Sequence, residues 1–275
     1  HLPGNVYRDA ATLAIAPFRL GLTATPDRPD GGEDLLEPLV GPTLYRLEAQ
    51  QLAGEYLADY SVVRVRVELS GDERRAYENA RGIYRGFVSS QGIRMSGPQG
   101  WQQFVIRSAR SEDGRRAMLA FRESKRIAFG TEAKMRVLAD ILHRHAHDRT
   151  LIFTADNETV YRISEQFLIP AITHETPIKE RRAWLEAFNR GEVLALATSK
   201  VLNEGVNIPE ATVAVVLSGS GSSREHIQRL GRILRKQPDK EAVLYEVITG
   251  ETTEEHISQR RSEAGQFQEI QDADI

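Results

Sequence analysis

This 275-residue sequence predicts an α/β fold, a parallel sheet covered by helices, preceded by a small helical insertion and by the end of another domain. Three observations predict it. From Thr131 onward, helical and strand-like patterns alternate, as they do when crossover helices join parallel strands. The strand-like runs, such as Val193-Leu194-Ala195-Leu196-Ala197, are short and continuously apolar. Between Gly71 and Ile127 there are twelve Arg and Lys against six Asp and Glu, so this stretch carries +6 in a chain whose net charge is -3.

At the front, Arg19-Leu20-Gly21-Leu22-Thr23-Ala24-Thr25-Pro26 reads as a strand end running into a loop, and Asp27 to Gly32 is rich in turn residues. Residues 1–47 are therefore expected to close an earlier domain, and 48–275 to form the next one, with the basic insertion at about 71–127. The insertion follows a strand expected over Val62 to Leu69. Its Arg74 to Phe87 and Arg115 to Arg122 stretches suit helices, and the Gly-rich Gln91 to Gly100 lies between them. Met135, Leu138, Ile141 and Leu142 then recur at helical spacing, and Leu151-Ile152-Phe153 is a buried strand. There follow a helix near Glu158 to Phe167, a strand at Ala171 to Thr173, a helix from Ile178 to Phe188 and strands at Val193 to Thr198 and Thr212 to Leu217. A helix over Ser223 to Leu234 and a strand over Ala242 to Ile248 complete the domain. The polar tail after Thr249 is expected to form a last helix that frays.

Composition bounds the function. A chain with 40% hydrophobic residues can build real cores, and no apolar run approaches the roughly 20 residues of a membrane-crossing helix. The absence of cysteine excludes disulfides, thiolate catalysis and cysteine-ligated zinc, and it fits a reducing, cytoplasmic location. His1-Leu2-Pro3-Gly4 resembles neither a signal peptide nor a natural start, so the sequence is expected to continue upstream.

The strongest chemical signal is Gln228-Arg229-Leu230-Gly231-Arg232-Ile233-Leu234-Arg235. Arg232 and Arg235 share one face of the expected helix, where two guanidinium groups can converge on a polyphosphate. Alone, an ordinary basic helix face explains them equally well. The second signal is Ala197-Thr198-Ser199-Lys200-Val201-Leu202-Asn203-Glu204-Gly205-Val206-Asn207-Ile208-Pro209. It begins at the carboxyl end of a strand, where open α/β sheets place ligand sites. Thr198 and Ser199 offer hydroxyls to a nucleic-acid phosphate, Gly205 suits a tight backbone and Asn207 suits a ribose hydroxyl. A polar strand-to-helix loop is common in isolation; the two motifs together favour the functional reading. Trp101 and Phe104, beside the basic run, are read mainly as packing residues, with base stacking as the alternative. His143, His145 and His147 are read as a solvent-facing cluster and not as a metal site, so no metal ligand is expected.

Thr23-Ala24-Thr25, the Glu204-Gly205-Val206-Asn207 loop and the Gln-Arg-Leu-Gly-Arg helix occur in the order of motifs III, V and VI of superfamily 2 helicases, with Phe153-Thr154 at motif IV. The chain most resembles the XPB/Rad25 DNA helicases, particularly archaeal-type ones, and the resemblance extends over nearly its whole length. It is carried by Ile127-Ala128-Phe129, Asn157 to Ser164, Phe167 to His174 and Ser218 to Glu225. The resemblance implies a RecA-like helicase C-terminal lobe with a remnant of the first lobe and a thumb-like DNA-binding insertion. The family's Arg-Glu-Asp motif corresponds to Arg28-Pro29-Asp30, where Pro replaces the acid.

What the resemblance implies about mechanism is specific. Arg232 and Arg235 would be arginine fingers and Gln228 their link to the first lobe. Gly205 and Asn207 would meet the nucleotide, and Thr23 and Thr25 would couple the lobes. Arg28, Asp30, Thr154, Thr176, Thr198, Ser199, Arg74, Arg85 and Arg94 would face DNA. ATP and Mg2+ would serve the longer protein, whose P-loop and acidic box lie outside this sequence, so this chain alone is expected to be inactive. DNA is the expected partner, and family analogy adds a protein such as a nuclease. The competing readings are a standalone DNA- or protein-docking module without ATP turnover, and an RNA helicase lobe.

Overall fold

The computed structural model describes residues 2, 5–23, 32–45, 60–96, 99–199, 211–218, 242–255 and 269–270. Its contacts divide the chain into two compact units, His1–Leu52 and Ala53–Ile275. In the first, α1 (Asn5–Leu13) precedes an extended stretch, a 3-10 turn (Gly32–Leu35) and the short α2 (Leu36–Leu39). Arg19 ties these pieces together by donating to the Leu39 and Ala14 carbonyls, each at 2.7 Å.

The second unit begins with β1 (Tyr60–Val67) and a three-helix insertion, α3 (Gly71–Ser90), α4 (Gly100–Ser108) and α5 (Glu112–Phe129). Then come α6 (Glu132–Arg144), β2 (Thr150–Phe153), α7 (Asn157–Phe167), β3 (Ala171–Ile172), α8 (Ile178–Asn189), β4 (Ala195–Thr198), β5 (Val213–Val216), β6 (Ala242–Thr249) and β7 (Glu269–Ile270). The strands form one sheet in the order β3-β4-β2-β5-β6-β1-β7, and every pairing is parallel.

The period of two along each strand makes the two cores. Leu151 and Phe153 of β2, with Ala214 and Val216 of β5, share one core with Leu185 and Phe188 of α8. Ile152, Val213 and Val215 point to the other, where Met135, Leu138 and Ile141 of α6 and Val160 and Ile163 of α7 cover them. Each such side chain contributes roughly 1.5–3 kcal/mol by leaving water. This double burial is why the strands read as unbroken apolar runs.

The insertion has a core of its own, built from Tyr84, Phe87, Ile93, Phe104 and Ala117. Ser70 opens α3 with a reciprocal cap, its hydroxyl accepting from the Glu73 amide while the Glu73 carboxylate accepts from the Ser70 amide. Ser111 opens α5 by accepting from the Gly114 amide at 3.0 Å. Gly114 lies so close to the Ser108 backbone that a Cβ there would sit 2.5 Å from the Ser108 carbonyl oxygen.

The insertion is fastened to the carboxyl end of β6. The Thr249 hydroxyl donates to Ala128 O at 2.7 Å, and the Thr253 amide donates to the Tyr77 hydroxyl at 2.9 Å. Beside them, the fully buried Lys134 ammonium donates to the Leu217 carbonyl and to Glu254 at 2.5 Å, and Glu254 also accepts from the Thr249 amide at 3.0 Å.

Three details differ from the sequence expectation. The first strand starts earlier, at Tyr60, and ends at Val67. The helix α4 follows directly on the Gly-rich stretch, because Gly100 fits where the Arg94 and Met95 backbone presses against the start of the helix. The tail turns helical at Thr253, but Glu269–Ile270 adds a short strand to the edge of β1. The helix expected over Ser223 to Leu234 lies outside the described residues.

Candidate nucleic-acid and nucleotide interface

Strand β2 pairs with β4 on one side and β5 on the other, and the chain leaves it first toward the β3 edge before returning to add β5 and β6. Such a reversal marks the carboxyl ends of the strands as the usual ligand position in open α/β sheets. Thr154 follows β2, Thr173 follows β3, Ser199 follows β4, and Ser218 lies just beyond β5. All four are buried.

Their hydroxyls serve different purposes. The Thr154 hydroxyl donates to Asp156 O and the Thr198 hydroxyl to Ser199 O, each at 2.7 Å, and both residues are fully buried. These two hydroxyls turn inward to the backbone and shape the loops. Ser218 Oγ accepts from the Ala155 amide at 2.9 Å, joining the loops after β2 and β5. Thr176 Oγ1 accepts from the Thr173 amide at 2.9 Å and closes the turn after β3.

The polar groups nearest solvent include two that sequence reasoning missed. Ser199 donates to Asn157 Oδ1 at 2.6 Å, and the Asn157 amide donates to His174 Nδ1 at 3.2 Å. This chain of contacts links β4, the first turn of α7 and the loop after β3. Asp156 caps α7 by accepting from the Thr159 amide at 2.8 Å, which fixes Asn157 at the start of the helix. Asp156 and Thr159, three residues apart after an apolar strand, were the available signal for that cap.

The three insertion arginines expected to face DNA are not equivalent. Arg85 and Arg94 are exposed. Arg74 is only 20% exposed and is engaged within the fold: it pairs with Glu68 at 3.2 Å and Glu251 at 3.3 Å and donates to the Glu251 and Gly250 carbonyls. The acceptors that hold its guanidinium come from the ends of β1 and β6. The reading of the histidines also changes. His145 is half-buried, with Nε2 2.9 Å from the Tyr245 hydroxyl and Nδ1 2.8 Å from Asp148, so it belongs to the packing at the end of α6 and not to a solvent-facing cluster. Phe104 is fully buried, whereas Trp101 is 48% exposed.

Thr23 lies in the first unit and is exposed. Thr25, Arg28, Asp30, Gly205, Asn207, Gln228, Arg232 and Arg235 lie outside the described residues. Among the described residues, no helix is long and apolar enough to cross a membrane.

Comparison with known proteins agrees with this architecture. The helicase conserved C-terminal domain matches residues 133–237. The chain is 41% identical over 263 residues to the DNA 3'-5' translocase XPB2 of Sulfurisphaera tokodaii, covering 96% of this chain and 60% of that protein. It is 32% identical over 280 residues to the DNA 3'-5' helicase XPB of Mycobacterium tuberculosis, covering 99% of this chain and 44% of that protein. The chain thus spans about half the length of these relatives. Among solved structures, the Hef helicase domain of Pyrococcus furiosus shares the fold with a TM-score of 0.57 at 18% identity, over 87% of this chain and 65% of that one. The α/β unit has the fold of a RecA-like helicase C-terminal lobe, and the chain is similar over nearly its whole length to XPB/Rad25 helicases.

Proposed function

We propose that this chain works as the second RecA-like lobe of an ATP-driven DNA translocase or helicase that opens or moves along duplex DNA during repair, with the 3'-5' direction named for its relatives. The observation that carries the reading is the polar edge of the sheet, where Ser199, Asn157 and His174 are linked across three elements beside an insertion of net charge +6. Such an edge offers hydroxyl, amide and imidazole groups to successive phosphates without reading bases. Ser199 and Thr176, with Asn157 and His174, grip the backbone, while Thr154 and Thr198 hold the loops that present them. Arg85 and Arg94 add phosphate contacts from the insertion, and Arg28 and Asp30 contribute at the duplex junction.

The residue types that the resemblance assigns to a nucleotide suit a triphosphate. Arg232 and Arg235 supply positive charge, Gln228 supplies a link across the cleft, and Gly205 and Asn207 supply a close backbone and a ribose contact. Bound ATP and Mg2+ supply the phosphoryl chemistry, and the fingers neutralise charge that develops during it. Thr23 and Thr25 couple the lobes, so that closure advances the gripping edge along the strand. The protein acts in the cytoplasm. Exposed apolar groups on the insertion, Leu119 at 62% and Ile106 at 44%, favour a protein partner such as a nuclease on the same element.

The test is ATP turnover by the longer protein. Arg232→Ala or Arg235→Ala is expected to lower turnover by about 10² or more while nucleotide affinity stays within several-fold. The 275-residue chain alone should turn over no ATP. Lost affinity with an intact turnover number would contradict the assignment.

A further inference from the structure

Deepening the DNA-binding reading of the insertion, on which it rests, we propose that the exposed face of Trp101 is a stacking platform for an unpaired DNA base. Trp101 and Phe104 lie three residues apart on α4 and have opposite fates. Phe104 is fully enclosed, with ring centroids 5.2 Å from Tyr84 and 6.2 Å from Phe87, whereas Trp101 leaves 48% of its surface to solvent. The inner side of the indole rests on Phe121 at 5.0 Å and Phe104 at 5.5 Å. Those contacts hold the ring in place, so a stacking partner meets a preorganised surface and little side-chain freedom is lost on binding.

Positive charge flanks this surface. Gly100, immediately before Trp101, is pressed against Arg94: a Cβ there would lie 2.4 Å from the Arg94 carbonyl oxygen. The exposed Arg94 is thereby kept beside the first turn of α4. On α5, the Lys125 ammonium lies 4.8 Å from the centre of Phe121, the ring that supports Trp101. Val105, one turn along α4 and 39% exposed, extends the apolar face. An aromatic face beside cations is the combination that single-stranded nucleic acid requires, a π-surface for the base and charge for the adjoining phosphates. Bases within a duplex already stack on each other, so the ligand is a single strand of DNA.

The experiment titrates short oligothymidylate and blunt duplex DNA into the full chain, its Trp101→Phe variant and its Trp101→Leu variant, reading both affinity and tryptophan fluorescence. The oligothymidylate should saturably quench a component of the emission that is missing from Trp101→Phe. Trp101→Leu should weaken single-strand binding about tenfold, Trp101→Phe by no more than a few-fold, and duplex affinity should stay within about twofold. The Phe variant keeps a ring against Phe121, so it remains informative if the Leu variant melts early. Unchanged single-strand affinity in a folded Leu variant, absence of Trp101 quenching, or equal losses on both DNAs would overturn the proposal. Arg85→Ala/Arg94→Ala, run in parallel, separates the outcomes: if it weakens binding while the Trp101 variants do not, the basic insertion still binds DNA and only the stacking platform fails.

Discussion

Glu73 shows how much one side chain does at the root of the insertion. Its carboxylate accepts from the Ser70 amide at 2.9 Å and from the Glu132 amide at 3.2 Å, so it caps α3 and tethers α6 at once. Burial pushes its pKa up, but the surrounding donors, led by the Ser70 amide, together outweigh burial and hold it below the usual carboxylate value. A carboxylate with a lowered folded pKa stabilises the protein above its unfolded pKa and loses that contribution as pH falls through the folded one. Glu73→Ala should therefore cost about 1 kcal/mol near neutral pH. The difference from the parent, followed by urea unfolding, should shrink as pH falls below about 4. A constant difference between neutral and acid pH would assign the loss to packing instead of charge.

At the scale of elements, the glycines divide by what surrounds them. Gly82 lies on the exposed side of α3 with open space where a Cβ would go, while Gly114 sits against the Ser108 backbone. Gly82→Ala should stabilise the chain by roughly 0.5–1 kcal/mol, because the helix gains backbone preference at no steric cost. Gly114→Ala should destabilise by about 1–3 kcal/mol as α4 and α5 are forced apart. Thermal unfolding of the two variants should move in opposite directions; a stabilised Gly114→Ala would mean that the close approach of α4 and α5 is wrong. The elements also show where the sequence was readable. β2 and β5 were legible because burial on both faces leaves unbroken apolar runs. The helix α4 is harder to read although Trp101, Phe104, Val105 and Ser108 recur at helical spacing, because the Gly-rich run before it signals a loop. β7 is only two residues long, one charged and one apolar, so its sequence carries no strand pattern and it forms by pairing with β1.

At the scale of the whole molecule, the resemblance and the sheet were written in motif order and strand pattern, but the division of labour among polar groups was not. Spacing places Thr154, Thr198 and Ser199 at one edge of the sheet; it cannot say that the first two hydroxyls turn back to the backbone while Ser199 reaches Asn157. Charge counting likewise treats Arg74, Arg85 and Arg94 alike, although only Arg74 is drawn into the ends of β1 and β6. The account assigns the first arginine to the fold and the other two to phosphates, and the two roles separate by salt dependence.

The direct measurement is a titration of labelled forked DNA at several salt concentrations with the parent, Arg74→Ala and Arg85→Ala/Arg94→Ala, with melting temperature as the control for folding. Phosphate contacts release counterions, so the double variant should bind every sequence more weakly and lower the magnitude of the salt slope by between one and two, with melting nearly unchanged. Arg74→Ala should melt earlier while keeping the parental salt slope. A well-folded double variant with the parental slope and affinity would contradict the claim that this insertion grips DNA.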